Sequence, residues 1–198
     1  MEFLPIESAG NKVYAGFWKR FAAGIIDFLL FIPFLRLLTM VESISISITM
    51  VAVAITYLLP SLYTIYFTYR FGATLGKLAL SIQIARPDGS KIRLREALLR
   101  SSVDLVFAIL AVIAQVIAVS NADPERFLSE GWIVRAQLIA ALFPAWYAFV
   151  TVGSNVWYWS EFIALLCNRR RRAIHDFIAG TVVIHKRFAE PMPSPDWL

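Results

Sequence analysis

The chain has 198 residues, 59% of them hydrophobic and only 17% charged, against about 45–50% apolar and 25% charged in an ordinary soluble domain. That balance excludes a water-soluble fold. The net charge of +5 lies beside apolar runs, so it reads as topology signals and lipid-headgroup contacts rather than as a nucleic-acid surface.

Residues 1–16 form an N-terminal cytoplasmic segment holding Pro5 and Gly10, without the basic leader and cleavage site of a secretory signal, so the first span is expected to be retained. Apolar spans are predicted over about 17–38, 43–69, 101–120 and 132–153, since roughly 20 apolar residues cross the hydrocarbon of a bilayer. Between spans two and three lie Arg70, Lys77, Arg86, Lys91, Arg93, Arg95 and Arg100 against only Asp88 and Glu96, which places that loop in the cytoplasm. The links with Arg36 and Glu42, and with Asp123, Glu125, Arg126 and Glu130, fall outside, with Pro124 breaking any helix there. Lys12, Lys19 and Arg20 at one end, and Arg169 to Arg172 at the other, put both termini inside.

The stretch from Trp132 to Cys167 is too long for one straight crossing, about 54 Å as helix against ~30 Å of hydrocarbon. A break at Gly153, Ser154 and Asn155 is preferred, with Pro144 as the second candidate. The inner loop should carry a hairpin, because residues 81–93 alternate apolar and polar around Pro87, Asp88 and Gly89; residues 181–187 supply a third strand. The fold class is therefore an all-α polytopic membrane protein with four transmembrane helices, cytoplasmic N and C termini and a small cytoplasmic β-hairpin or sheet. One membrane domain covers 17–188, and 189–198, with Pro191, Pro193 and Pro195, is a loose tail.

Asp27 is the first candidate for chemistry, lying some ten residues into the first span and so near the bilayer midplane. An aspartate there costs about 2.5–3.5 kcal/mol on insertion scales, so it should face protein or a water cavity with its charge neutralised or paired. A polar band on the second span, Thr56, Tyr57, Ser61, Tyr63 and Thr64 around Pro60, is its natural partner, and Asp27, Thr56 and Tyr57 form the candidate ion or proton site. Arg20, seven positions earlier on the same face, anchors at the inner headgroups, where Asp176 can be its counter-charge; Asp104 follows Arg100 by one turn and is expected to pair with it. Arg169, Arg170, Arg171 and Arg172 are read as lipid-headgroup contacts.

Other chemistry is set aside. Residues 72–77, GATLGK, have one residue too few between the glycines for a phosphate loop, so Gly72 is expected to end the second span and Thr74 to cap a short helix. Adjacent His175 and Asp176 should point different ways, no metal cluster is completed, and Glu161 is left as a solvated charge. With Cys167 alone, a disulfide within the chain is ruled out. No cofactor motif and no nucleophile–base pair is present, so an enzyme is not expected.

At these residues the chain resembles the RDD family, named for an arginine and two aspartates. The likeness lies in FWKRFAAGIIDFLL at 17–30, GATLGKLALSIQIARPDG at 72–89 and RRRRAIHDFIAGTVV at 169–183, which supply Arg20, Asp27 and Asp176. The resemblance implies a multipass bacterial inner-membrane protein of largely undefined role, with cation/proton exchange proposed for some members. Two expectations follow: a proton or monovalent-cation transporter acting as a homo-oligomer around Asp27, or an accessory or scaffold subunit that binds a membrane partner or anionic lipid.

Overall fold

The computed structural model describes residues 3–8 and 10–189. The expected tail, beyond Ala189, lies outside them. The chain is mostly helical, and its contacts divide it into two compact units: residues 1–28, 63–103 and 157–198 in the first, and 29–62 and 104–156 in the second.

Three helices are long and apolar enough to cross a membrane: α1 (Phe17–Val41), α2 (Ile46–Phe71) and α4 (Leu94–Ser120). In their most apolar windows only 11%, 28% and 22% of residues are buried, so most of that surface is left for lipid. Short α3 (Leu75–Ala79) lies between α2 and α4, and α5 (Pro124–Ser129) precedes α6 (Trp132–Leu142) and α7 (Tyr147–Cys167). Taken together α6 and α7 pass the same test for a span, but they are bent by 108°. Up to four crossings result among the described residues.

Several boundaries differ from expectation for local reasons. The bend falls at Pro144, where Tyr147 N–H turns back to the Pro144 carbonyl at 2.9 Å. Gly153, Ser154 and Asn155 instead lie within α7, and the Ser154 hydroxyl and Asn155 amide return to the Thr151 carbonyl at 3.0 and 2.7 Å. Pro124 starts a helix instead of preventing one. It occupies the first turn of α5, where a missing N–H costs nothing, behind an Asp123 side chain that accepts from Glu125 N–H at 3.1 Å. Helix α4 begins seven residues before the predicted span at 101. Its first turn holds Glu96, whose carboxylate accepts from Arg93 N–H at 2.8 Å and from Arg86 at 2.7 Å.

In the first unit the small sheet forms, with different partners. The turn closes as predicted, Gly89 N–H to Arg86 O and Arg86 N–H to Ser90 O both at 2.9 Å. Residues 90–93 are not a strand, however. β3 (Ile82–Ala85) pairs antiparallel with β4 (Val182–His185), Ile82 opposite His185 and Ala85 opposite Val182. The third row comes from the N-terminal segment, where Tyr14 bridges Ile184, Ala15 N–H reaches Val183 O at 2.9 Å and His185 N–H reaches Val13 O at 3.0 Å. Both faces are covered, which is why a sheet this small is stable. Ile82, Ile84 and Val183 pack with Ala15, Ala23, Ile92 and Ala97; Ala85, Val182 and Ile184 pack with Val13, Tyr14, Leu4 and Phe188. A further two-residue hairpin, β1 (Glu7–Ser8) with β2 (Asn11–Lys12), turns at Gly10. Helix α8 (Ile174–Ala179) leads through Gly180, in the left-handed region at φ 65°, into β4, which ends in a 3-10 turn at Lys186–Phe188.

In the second unit Ala118, Val119, Ala122, Phe127 and Ile139 make a core with Ile46, Met50, Leu142 and Phe143. Outward-facing Phe149, Val152 and Val156 are exposed.

Candidate functional site

The polar centre of the first unit is Asp176, in the first turn of α8 and fully buried. One carboxylate oxygen accepts from Arg20 Nη1 at 2.7 Å and from Ala173 N–H at 3.0 Å. The other pairs with Arg100, which also donates to Thr181 Oγ1 at 3.0 Å. Reaching back to the N-cap backbone is half of a capping box; Ala173 has no side-chain acceptor for the other half. Burial alone would raise the Asp176 pKa, but the guanidiniums of Arg100 and Arg20 outweigh it and hold the carboxyl well below the usual carboxylate range. The expected Arg20–Asp176 pairing is thus present, and Arg100 joins it through Asp176.

His175 and Glu161 extend this network beyond what the sequence pattern indicates. His175 Nε2 lies 2.5 Å from Arg100 Nη2, and its Nδ1 lies 2.5 Å from Glu161 Oε2. A guanidinium can only donate, so Nε2 accepts and the proton sits on Nδ1, facing Glu161. Burial, then the Arg100 charge, lowers the His175 pKa and keeps the ring neutral. Adjacent His175 and Asp176 therefore both reach Arg100, contrary to expectation, because its planar fork presents two nitrogens to two neighbouring side chains. Glu161 is half-buried and also accepts from His175 N–H at 2.8 Å. The available signal was its isolation: no other charge lies between Arg135 and Arg169.

Asp27 is bound differently. One oxygen accepts from the Tyr63 hydroxyl and from Gly76 N–H, both at 2.7 Å; the other accepts from the Thr74 hydroxyl at 2.6 Å. Tyr63 in turn accepts from Leu75 N–H at 2.9 Å. These amides are the open N-terminus of α3, so Asp27 is a cap delivered from another helix. Gly72, at φ 70°, ends α2 as predicted, and Thr74 occupies the α3 cap position with its hydroxyl turned to Asp27. A side chain at Gly76 would land on the Ala23 carbonyl oxygen, so glycine is what lets α3 sit against α1. Of the predicted polar band, Tyr63 reaches Asp27. Thr56 and Tyr57 belong to the second unit, where the Thr56 hydroxyl returns to Ala52 O at 2.8 Å and Tyr57 lines a cavity with Tyr147. Asp104 also falls in the second unit.

Lys77, half-buried on α3, donates to Thr74 at 3.4 Å. Burial, reinforced by the Arg100 charge, pushes its pKa down to about 8. The four consecutive arginines divide. Arg169 is exposed, whereas Arg172 donates to Thr181 O at 3.1 Å and Asp176 O at 2.9 Å and stacks on Phe177. Arg170 lies 4.1 Å over Phe3, and Arg171, at φ 50°, turns its carbonyl to Arg20 at 2.5 Å. Reading all four as headgroup contacts is corrected for Arg170 and Arg172, whose guanidiniums pack within the protein.

With this geometry in view, the comparison with known families is decisive, because the RDD family profile matches residues 14–180. The chain belongs to the RDD family. No curated protein and no solved structure matches it. In this RDD protein the arginine and one aspartate meet as Arg20 and Asp176, and Asp27 clamps α3 to α1. Its apolar helices are those of a membrane protein.

Proposed function

We propose that this RDD protein is a multipass protein of the bacterial inner membrane, with four crossings and both termini in the cytoplasm, and that it acts as a non-catalytic scaffold or accessory subunit. The observation that supports this reading is that donors occupy both oxygens of each family aspartate. Asp27 accepts from three donors and Asp176 from Arg20, Arg100 and Ala173 N–H. A cation site needs oxygen lone pairs facing a void, and these face hydrogens. The charged lock holds α3, α8 and the sheet to the ends of the apolar helices. A groove of about 1010 Å³ beside the sheet, lined by Lys12, Lys19, Arg169 and Arg171 against Glu7, suits an anionic lipid surface or an acidic partner.

A second reading, proton-coupled transport by a homo-oligomer, draws on Lys77. A half-buried amine with a pKa near 8 changes charge in the range in which such a carrier works. Purified protein in liposomes separates the two. The scaffold reading expects no flux under imposed proton, sodium or potassium gradients, and stronger association with phosphatidylglycerol than with phosphatidylcholine vesicles. A gradient-driven flux that Lys77→Met or Asp27→Asn abolishes, in protein that still folds, overturns it.

A further inference from the structure

The second unit holds a buried cation that no carboxylate among the described residues reaches within ion-pair distance. Arg135, on α6, is 7% exposed, and its Nε and Nη1 are buried without a hydrogen-bond partner. Its Nη2 makes only a long contact, 3.4 Å, to the Thr39 carbonyl. Phe127 lies 5.7 Å from the guanidinium carbon, which serves the flat face of the group and leaves its N–H edges unanswered. Arginine cannot shed its proton to escape the cost. In the first unit Arg20 and Arg100 each have the Asp176 carboxylate; Arg135 acts on Glu42 only across space, with no ion pair within 4.0 Å.

Arg135 lines a cavity of about 350 Å³ whose other polar groups are complementary. Glu42 also lines it, and no ion pair within 4.0 Å joins the two. Gln115 contributes a side-chain oxygen that is buried and accepts nothing. The cavity thus offers unanswered donors on Arg135, and an acceptor and a carboxylate on Gln115 and Glu42. A simple anion would satisfy only the first, a simple cation only the others. Tyr57 and Tyr147, with apolar Val53, Val119 and Ile139, complete the wall.

We propose that this cavity binds a small zwitterion, its oxyanion on Arg135 and its primary ammonium between Glu42 and Gln115. The phosphoethanolamine headgroup of a membrane lipid and a free α-amino acid share that chemistry. The two charges of such a ligand answer the two charged walls at once, and the N–H donors answer the unpaired oxygen, so a quaternary ammonium is disfavoured.

The test uses the full chain in detergent, with short-chain phosphatidylethanolamine, phosphatidylcholine and phosphatidylglycerol, and with glycine and L-leucine, read by calorimetric titration. Phosphatidylethanolamine binding at least about tenfold tighter than the other two lipids supports the site and assigns it to lipid; binding of glycine or L-leucine supports it with a free ligand as source. Arg135→Gln should abolish that binding and Glu42→Gln should remove the preference for a primary ammonium. Arg135→Lys, which keeps the charge, should weaken binding and leave a folded protein if the glutamine variant does not fold. Equal affinity for all three lipids with no amino-acid binding, or unchanged binding in Arg135→Lys and Glu42→Gln, overturns the proposal.

Discussion

Replacing Asp176 by asparagine removes the carboxylate that, among the described residues, pairs with both Arg20 and Arg100. The side chain is fully buried, and its two oxygens take Arg20 at 2.7 Å, Ala173 N–H at 3.0 Å and Arg100. Asparagine keeps one acceptor but turns an NH₂ group toward a guanidinium, leaving two buried cations without their shared anion. Breaking a buried pair in this way costs about 3–5 kcal/mol. At roughly 2–4 °C per kcal/mol for a chain of this size, Tm should fall by about 6–20 °C, read from tryptophan fluorescence of the detergent-solubilised protein. The sign of the pH dependence is also set. A carboxyl whose folded pKa is depressed stabilises the fold at every pH above its unfolded value, near 4, and loses that contribution only as pH falls through the folded value below it. The deficit of Asp176→Asn should therefore be flat from about pH 5 upward. Adding Arg20→Gln to Asp176→Asn should recover part of the loss, because it removes one of the stranded charges. A melting point within about 2 °C of the wild type, or strictly additive losses in the double variant, would refute the hub.

Gly76→Ala should destabilise by about 1–3 kcal/mol, since its methyl meets the Ala23 backbone and α3 must move off α1; limited proteolysis between residues 72 and 93 should accelerate in the variant. Asp27→Asn retains an oxygen for Tyr63 and Gly76, and Thr74 can rotate to accept, so its cost should lie near 1 kcal/mol; Asp27→Ala strands all three donors and should cost nearer 3 kcal/mol by thermal melt. Lys77 has a folded pKa of about 8 against 10.5 unfolded, so the unfolded chain binds more protons between those values and stability should rise with pH across that window; Lys77→Met should flatten the rise.

The apolar spans were legible because a bilayer reads length and charge, both of which a sequence displays directly. Partner identity is different in kind. The β-branched pattern of 82–85 correctly marked a strand, and the turn at 86–90 does close, yet β3 takes its partner from residues 182–185 and its third row from residues 13–15. Alternation specifies which faces are apolar; it carries no information about which distant strand covers them. Pro144 and Gly153–Asn155 were both plausible breaks, and the structure bends at the proline because Ser154 and Asn155 can bond within their own helix whereas proline removes a donor outright.

The same distinction governs the charges. Asp27, Glu161 and Arg135 each stand in apolar surroundings, and each position implies that something must answer the charge. For Asp27 the answer is backbone and hydroxyl donors at α3, and for Glu161 it is the His175 ring. Depth along a helix estimated the cost of Asp27 and pointed to the polar band that holds its donor Tyr63, but not to Thr74 and Gly76, because α3 belongs to the loop between α2 and α4 and is invisible to a count of residues along α1. Arg135 is the case in which no carboxylate among the described residues comes within ion-pair distance and two nitrogens have no hydrogen-bond partner. Asp27 and Glu161 each meet donors within their own unit, whereas the Arg135 guanidinium leaves two nitrogens unpartnered beside a cavity, and the proposed zwitterion site follows from that contrast.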